Sequence, residues 1–277
     1  MPASVVSVDC RRRADWLPCV AEAVRTVGYC VVENVLDAEL IEELQPAMYR
    51  AQQRIVAEVG EERLRRAGEL GVLRLMMKFE PLCLKLLEVP QMLALVDHHL
   101  GATAILHLQN GFILPSSAAH EGRLFQSTFH RDFPRVLNGY LMSINALFAL
   151  DDFRAANGAT WVVPGTHQRD ARPAEDEMER AALCVECGAG AMIVFDSTLW
   201  HCGGRNISGK DRLAVNHQFT RSYVKQQIDY VRALGEAALR AMSPRTQQLV
   251  GFYTRVVTSL DEYYRPEADR LYRRGQG

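Results

Sequence analysis

Between residues 103 and 225 the chain is a succession of short segments rich in β-branched and aromatic residues, and this run limits the fold more than any other feature. The segments are "TAILHLQNGFILP", "FQSTFHRDF", "YLMSINALFAL", "GATWVVPG", "ALCVEC", "AMIVFDSTLWH" and "RLAVNHQFTRSYV", parted by Gly, Pro, Asn and Asp. Short strands divided by turn residues predict an antiparallel sandwich or barrel. The preceding residues, 1–102, read as mostly helical support. Leu17, Val20, Ala23, Val24 and Val27 recur at helical spacing, and Gly28 stops that helix. "YCVVENV" then predicts one strand, and Asp37 caps a helix with Leu40, Ile41 and Leu44 on one face. Residues 47–100 read as helix broken near Gly60, Gly68, Gly71, Pro81 and Pro90. Residues 226–277 read as a C-terminal helix and a Tyr- and Arg-rich tail. The expected class is mainly β with flanking helices: one domain over 1–277, with a barrel over 103–225 covered by helices.

Composition excludes several functions. The net charge of −1 gives no general field for nucleic acid or an anionic membrane. No apolar run reaches the roughly 18 residues that a membrane helix needs. "MPASVVSVDC" lacks the charged start and apolar centre of a signal peptide. Seven scattered cysteines fit free thiols in a reducing compartment, so a cytoplasmic location is expected. Cys184 and Cys187 have metal-like spacing but no second pair, which is a weak signal.

"STFHRDFP" carries a His-x-Asp pair, His130 and Asp132. Such a pair alone proves little; context must add the weight. On a strand, residues two apart share a face about 7 Å apart, so both side chains can converge on one ion. His201, at the end of "AMIVFDSTLWH", supplies a second imidazole. Two histidines and one carboxylate are the facial set that binds iron(II) and leaves positions open. Zinc accepts the same ligands. The loop "CGGRNISGKD" leads to a strand beginning with Arg212, expected to lie beside the strand of His201. There Arg212, Ala214, Asn216 and Gln218 alternate with Leu213, Val215, His217 and Phe219, a polar face against a largely apolar one. A barrel holding a polar ligand should show that alternation. An inward Arg near the metal, with its planar fork, invites an acidic cosubstrate.

Taken together, these segments resemble the phytanoyl-CoA dioxygenase (PhyH-like) family of Fe(II)/2-oxoglutarate-dependent oxygenases. "GYCVVENVLDAELIEEL" is similar to that family's opening strand and helix. "HRD" matches its His-x-Asp, and "LFALDDFRAANGATWVVPGTH" its strand-turn-strand before the last ligand. "WHCGGRN" carries the distal His, and "DRLAVNHQF" places an Arg beyond it. The resemblance covers most of residues 28 to 220. It implies a double-stranded β-helix, a jelly-roll or cupin-like barrel wrapped by helices. It implies that His130, Asp132 and His201 bind Fe(II) and carry catalysis, and that Arg212 holds the distal carboxylate of 2-oxoglutarate. Thr160 is implied as a second contact, and Gln126 as a residue seating the cosubstrate.

With O2 as the other cosubstrate, the implied reaction is hydroxylation of a small organic substrate with release of succinate and CO2. A secondary metabolite or an acyl compound fits, and the enzyme is free to form a homo-oligomer. Asp132 is present where related halogenases lack the carboxylate, which favours hydroxylation or desaturation. The alternatives on the same residues are a desaturase, epimerase or cyclase, a non-catalytic ligand-binding barrel, and a zinc hydrolase. Gln109, Asn110 and Asn145 are expected to face the site or to be hydrogen-bonded in packing. The substrate pocket is expected to draw on residues 60–80.

Overall fold

A computed structural model describes residues 5–116 and 127–276. Strand β1 (Ser7–Asp9) precedes helix α1 (Trp16–Thr26), which buries Val20, Ala23 and Val24. Gly28 ends it at φ +95°, a backbone that side-chain-bearing residues rarely adopt. Its close packing on His167 and Leu199 leaves no room for a Cβ. Strand β2 (Tyr29–Glu33) follows, then α2 (Ala38–Val59) and α3 (Glu61–Arg66). Asp37 is the N-cap of α2 but makes no side-chain cap bond; its carboxylate pairs with Arg11 instead. Helix α2 buries Leu44, Met48, Ala51 and Ile55, spaced by three and four residues as one face of a helix requires.

The stretch read as broken helical support contains a strand, β3 (Val72–Arg74), before α4 (Met76–Phe79), a 3₁₀ turn (Pro81–Glu88) and α5 (Pro90–Leu100). Three apolar or basic residues carry no period that distinguishes strand from helix, and only pairing with a long neighbouring strand reveals it. The remaining strands are β4 (Ile105–Leu114), β5 (Ser143–Ala149), β6 (Thr160–Val162), β7 (Leu183–Val185), β8 (Met192–Asp196), β9 (His201–Gly203) and β10 (Arg212–Thr220). Helix α6 (Glu175–Ala181) lies before β7. The C-terminal part holds four short helices, α7 (Tyr230–Leu234), α8 (Glu236–Arg240), α9 (Pro244–Leu249) and α10 (Leu260–Tyr263), rather than one.

Seven strands form the large sheet in the order β1-β2-β8-β5-β10-β4-β3, and three form the small one, β7-β6-β9. The mainly β architecture with flanking helices is as expected, with one difference. Among the described residues no hydrogen-bonded ladder closes the two sheets into a continuous barrel; the sheets face each other. Two cores result. Leu213, Val215 and Phe219 of β10 join the helices in one cluster on the outer face. Ala214 joins Val31, Leu147, Phe153 and Ile193 in a second cluster associated with the small sheet. The alternation read along β10 is therefore real, and it leaves Arg212 and Asn216 lining a cavity.

Two local expectations are corrected. The segment around His130 is not a strand; Ser127–Asp132 is irregular with a single bridge at His130. His201 does not end β8 but opens β9, after a turn over residues 197–200. Consequently His201 and Arg212 lie in different sheets, β9 beside β6 and β10 between β5 and β4, and not on adjacent strands.

Candidate metal and cosubstrate site

The backbone brings the donor residues together. His130 and His201 exchange two hydrogen bonds, N–H to O at 2.9 Å and 3.0 Å. The carbonyl of Ser197 accepts from the amides of both Asp132 and Phe133, at 2.9 Å and 2.8 Å. One turn, residues 197–201, thus fixes the chain that carries His130 and Asp132.

The side chains follow from this clamp. The two imidazole centroids are 4.3 Å apart. His130 Nε2 lies 3.6 Å from Asp132 Oδ1, and His201 Nε2 lies 3.7 Å from Asp132 Oδ2. One ligand atom from each residue lies within 4.8 Å of the others. Each Nδ1–H donates to a carbonyl two residues back, His130 to Thr128 and His201 to Leu199, both at 2.9 Å. Those bonds fix the tautomer that leaves both Nε2 lone pairs facing the carboxylate, as metal-binding histidines require. Burial holds the His201 pKa below its usual value, against the pull of Asp132, so its imidazole stays neutral. Phe195 packs on that ring at 4.8 Å. Two imidazoles and a carboxylate, with no fourth protein ligand among the described residues, fit a divalent iron with open positions.

Arg212 is 5% exposed. Its Nη2 donates to Gly158 O at 3.0 Å, and its guanidinium lies 4.4 Å above the Phe153 ring. Its Nε is enclosed without a partner. Burial lowers its pKa to about 10, which leaves it charged at neutral pH. A buried cation with an unspent donor fits an anionic ligand. Gly158, at φ +84°, touches Leu114 and the Gly204 carbonyl so closely that only glycine fits the turn. Thr160, two residues on, lines the same cavity as Arg212 and the three donors.

Gln126 lies outside the described residues. Gln109 does not face the site; its amide meets His217 Nε2 at 2.8 Å beneath the helices. Asn110 accepts from Arg74, and Asn145 bonds Ser197 and Asn216, so both are held by neighbours. Glu69, Val72 and Arg74 line the cavity, within the 60–80 stretch expected there. Sequence reading assigned nothing to Arg74 or Asn216; the polar face of β10 was the available signal for Asn216.

A chain of two facing sheets with two histidines, a carboxylate and a buried arginine lining one cavity has the build of a non-haem Fe(II)/2-oxoglutarate oxygenase. Residues 24–214 match the phytanoyl-CoA dioxygenase (PhyH) family model, and the chain belongs to that family. It is an Fe(II)/2-oxoglutarate-dependent dioxygenase, with Fe(II), 2-oxoglutarate and O2 as its cofactors and a small molecule as its substrate.

The "uncharacterized protein Rv1501" of Mycobacterium tuberculosis is 59% identical over 259 residues, 93% of this chain and 95% of that protein. The dioxygenase andF of Emericella variicolor is 28% identical over 161 residues, 57% of this chain and 53% of its own length. Among solved structures, EctD from S. alaskensis, with 2-oxoglutarate and 5-hydroxyectoine, has a TM-score of 0.59 at 18% identity, covering 77% of this chain and 76% of that one. The epimerase SnoN from nogalamycin biosynthesis has a TM-score of 0.56 at 20% identity, covering 74% and 82%. These structures share the fold.

Proposed function

We propose that His130, Asp132 and His201 hold the iron, that Arg212 and Thr160 hold the distal carboxylate of 2-oxoglutarate, and that the enzyme hydroxylates a small organic substrate within one cytoplasmic domain spanning 1–277. The observation that carries this reading is the aim of the two Nε2 atoms at one carboxylate, each fixed by its own Nδ1–H bond. Iron held by His130, Asp132 and His201, with 2-oxoglutarate on Arg212, would supply the oxygen activation for hydroxylation, with one oxygen atom destined for the substrate C–H bond and the other for succinate, beside CO2. Arg212 aligns the cosubstrate, since its plane is fixed by Gly158 O and Phe153. Phe195 and Leu147 cover the apolar side of the cavity and keep water from the reacting carbon. Asp132 supplies the negative charge that keeps a divalent ion in place.

Anaerobic addition of Fe(II) and 2-oxoglutarate tests the reading. A visible charge-transfer band is expected in the native protein, and Arg212→Ala should weaken 2-oxoglutarate binding sharply. Unchanged affinity in that variant removes Arg212 from the role. Zinc hydrolysis on the same donors leaves the buried guanidinium without a task.

A further inference from the structure

The cavity contains a second arginine that the reaction above does not use. Arg74 ends β3 and lines the cavity with Glu69, Asn216 and the three donor residues. Its position is set by sheet register. Arg74 pairs with Asn110 on β4, and Asn110 pairs with Asn216 on β10, so the three residues form one row across the sheet. Arg212 pairs with Leu114, four residues along β4, or about 13 Å. The two guanidiniums therefore sit at separate levels of the sheet.

The local chain is built to bring Arg74 there. A Cβ on Gly71 would come within 2.3 Å of the Ile113 carbonyl, and one on Gly111 would press on Leu73 and Met76. Two glycines thus let β3 lie close against β4. Leu75, the next residue after Arg74, takes φ +53°, a costly backbone for a branched side chain. Such strain persists where surrounding structure over-determines it, commonly at ligand sites.

The hydrogen bonds of Arg74 leave a defined remainder. Nε donates to Glu69 Oε2 at 3.3 Å and Nη2 to Glu69 Oε1 at 2.6 Å, a side-on grip. Nη1 donates to Asn110 Oδ1 at 3.0 Å. A guanidinium has five N–H groups. Three are engaged, so one N–H on each terminal nitrogen is not spent on these partners, two donors for the two oxygens of a carboxylate. The side chain is 32% exposed, so that fork is reachable. In the same row Asn216 spends one N–H on Asn145 and leaves its Oδ1 without a partner.

We propose that Arg74 anchors the substrate, and that the substrate is an organic acid whose carboxylate seats on Nη1 and Nη2 of Arg74. This deepens the oxygenase reading and rests on it. Glu69 and Asn110 fix the guanidinium plane from two sides, and Asn216 meets a polar group further along the same molecule. Arg212 takes the cosubstrate's acid and Arg74 the substrate's.

The test uses the full chain saturated with Mn(II) and 2-oxoglutarate, which fills the Arg212 end. Dissociation constants are measured by ligand-observed NMR for small aliphatic and aromatic carboxylic acids and for their primary amides, beginning with hexanoate and hexanamide, benzoate and benzamide. The acids should bind at least about tenfold more tightly than the matching amides. Arg74→Gln should erase that preference, and Arg74→Lys, a point charge without the fork, should restore only part of it. The proposal is overturned if no acid binds more tightly than its amide, if Arg74→Gln keeps the preference, or if amines bind best, which would make Glu69 the reader. The first comparison needs no variant. Failure of the oxygenase reading is separate, since it shows as no charge-transfer band with Fe(II) and 2-oxoglutarate.

Discussion

His130 and His201 exchange both of their backbone hydrogen bonds, although one sits in an irregular loop and the other opens a strand of the small sheet. The bridge ties two chain segments at the point where their imidazoles must converge. Either histidine's placement thus depends on the other's backbone.

Removing Asp132 tests the charge of the site. Asp132→Ala leaves two imidazoles and no anionic ligand, and affinity for a divalent ion should fall by a hundredfold or more. Titration calorimetry with Mn(II) reads this directly. Retained affinity would reject Asp132 as a ligand.

Arg212→Lys keeps the charge but loses the plane. The guanidinium is held by the Gly158 carbonyl and stacked on Phe153, and neither contact suits an ammonium. The affinity for 2-oxoglutarate should drop by about ten- to a hundredfold, measured as the midpoint of the charge-transfer titration. Native-like affinity would show that charge alone suffices.

Gly158→Ala should act at a distance from any donor. The added methyl would meet Leu114 and the Gly204 carbonyl, in a backbone conformation disfavoured for alanine. A loss of about 2–3 kcal/mol in urea unfolding is expected, together with weaker 2-oxoglutarate binding, because the carbonyl that orients Arg212 belongs to this residue. Unaltered stability would contradict the tight packing.

His217 gives a pH signature outside the active site. It is fully buried, and burial pushes its pKa down to about 3. The unfolded chain takes up this proton near pH 6.5 while the folded chain refuses it, so stability is lost as pH falls below 6.5. By pH 5 this one residue should cost roughly 2 kcal/mol. Urea unfolding at a series of pH values, with His217→Gln for comparison, should show the slope shrink by about one proton. An identical slope in the variant would assign the effect elsewhere.

The seven cysteines should divide by burial. Cys30, Cys83, Cys187 and Cys202 are buried, and burial raises their pKa values to about 11 or 12. Cys10, Cys19 and Cys184 are partly exposed. Alkylation of the folded protein at pH 8 should label those three and spare the four until denaturant is added. Intact-mass measurement counts the adducts, and a fourth rapid label would contradict the packing.

The mainly β class, the polar and apolar faces of β10 and the grouping of His130, Asp132 and His201 were legible in the sequence. Alternation and turn residues are local signals, and they survived folding. What was not legible depends on which strand neighbours which. Placing His201 beside Arg212 assumed that a tight loop joins adjacent strands, whereas this loop crosses between sheets. Strand β3 was hidden because its existence is owed to the edge of β4. The strand expected around His130 dissolved into a loop because the Ser197 carbonyl captures two successive amides there, which a ladder could not offer. Arg74 was invisible for the same reason as β3.

Strand β10 lies between β4 and β5, yet it is the last of the three to be made. A nascent polypeptide must therefore keep those two earlier ribbons apart, or let them be prised open, until residue 220 has left the ribosome. Pairings over such separations form slowly. The consequence is chronological: a chain halted before that point lacks the seam between its halves, and the cavity wall supplied by Arg212 and Asn216 has to wait for synthesis to pass it.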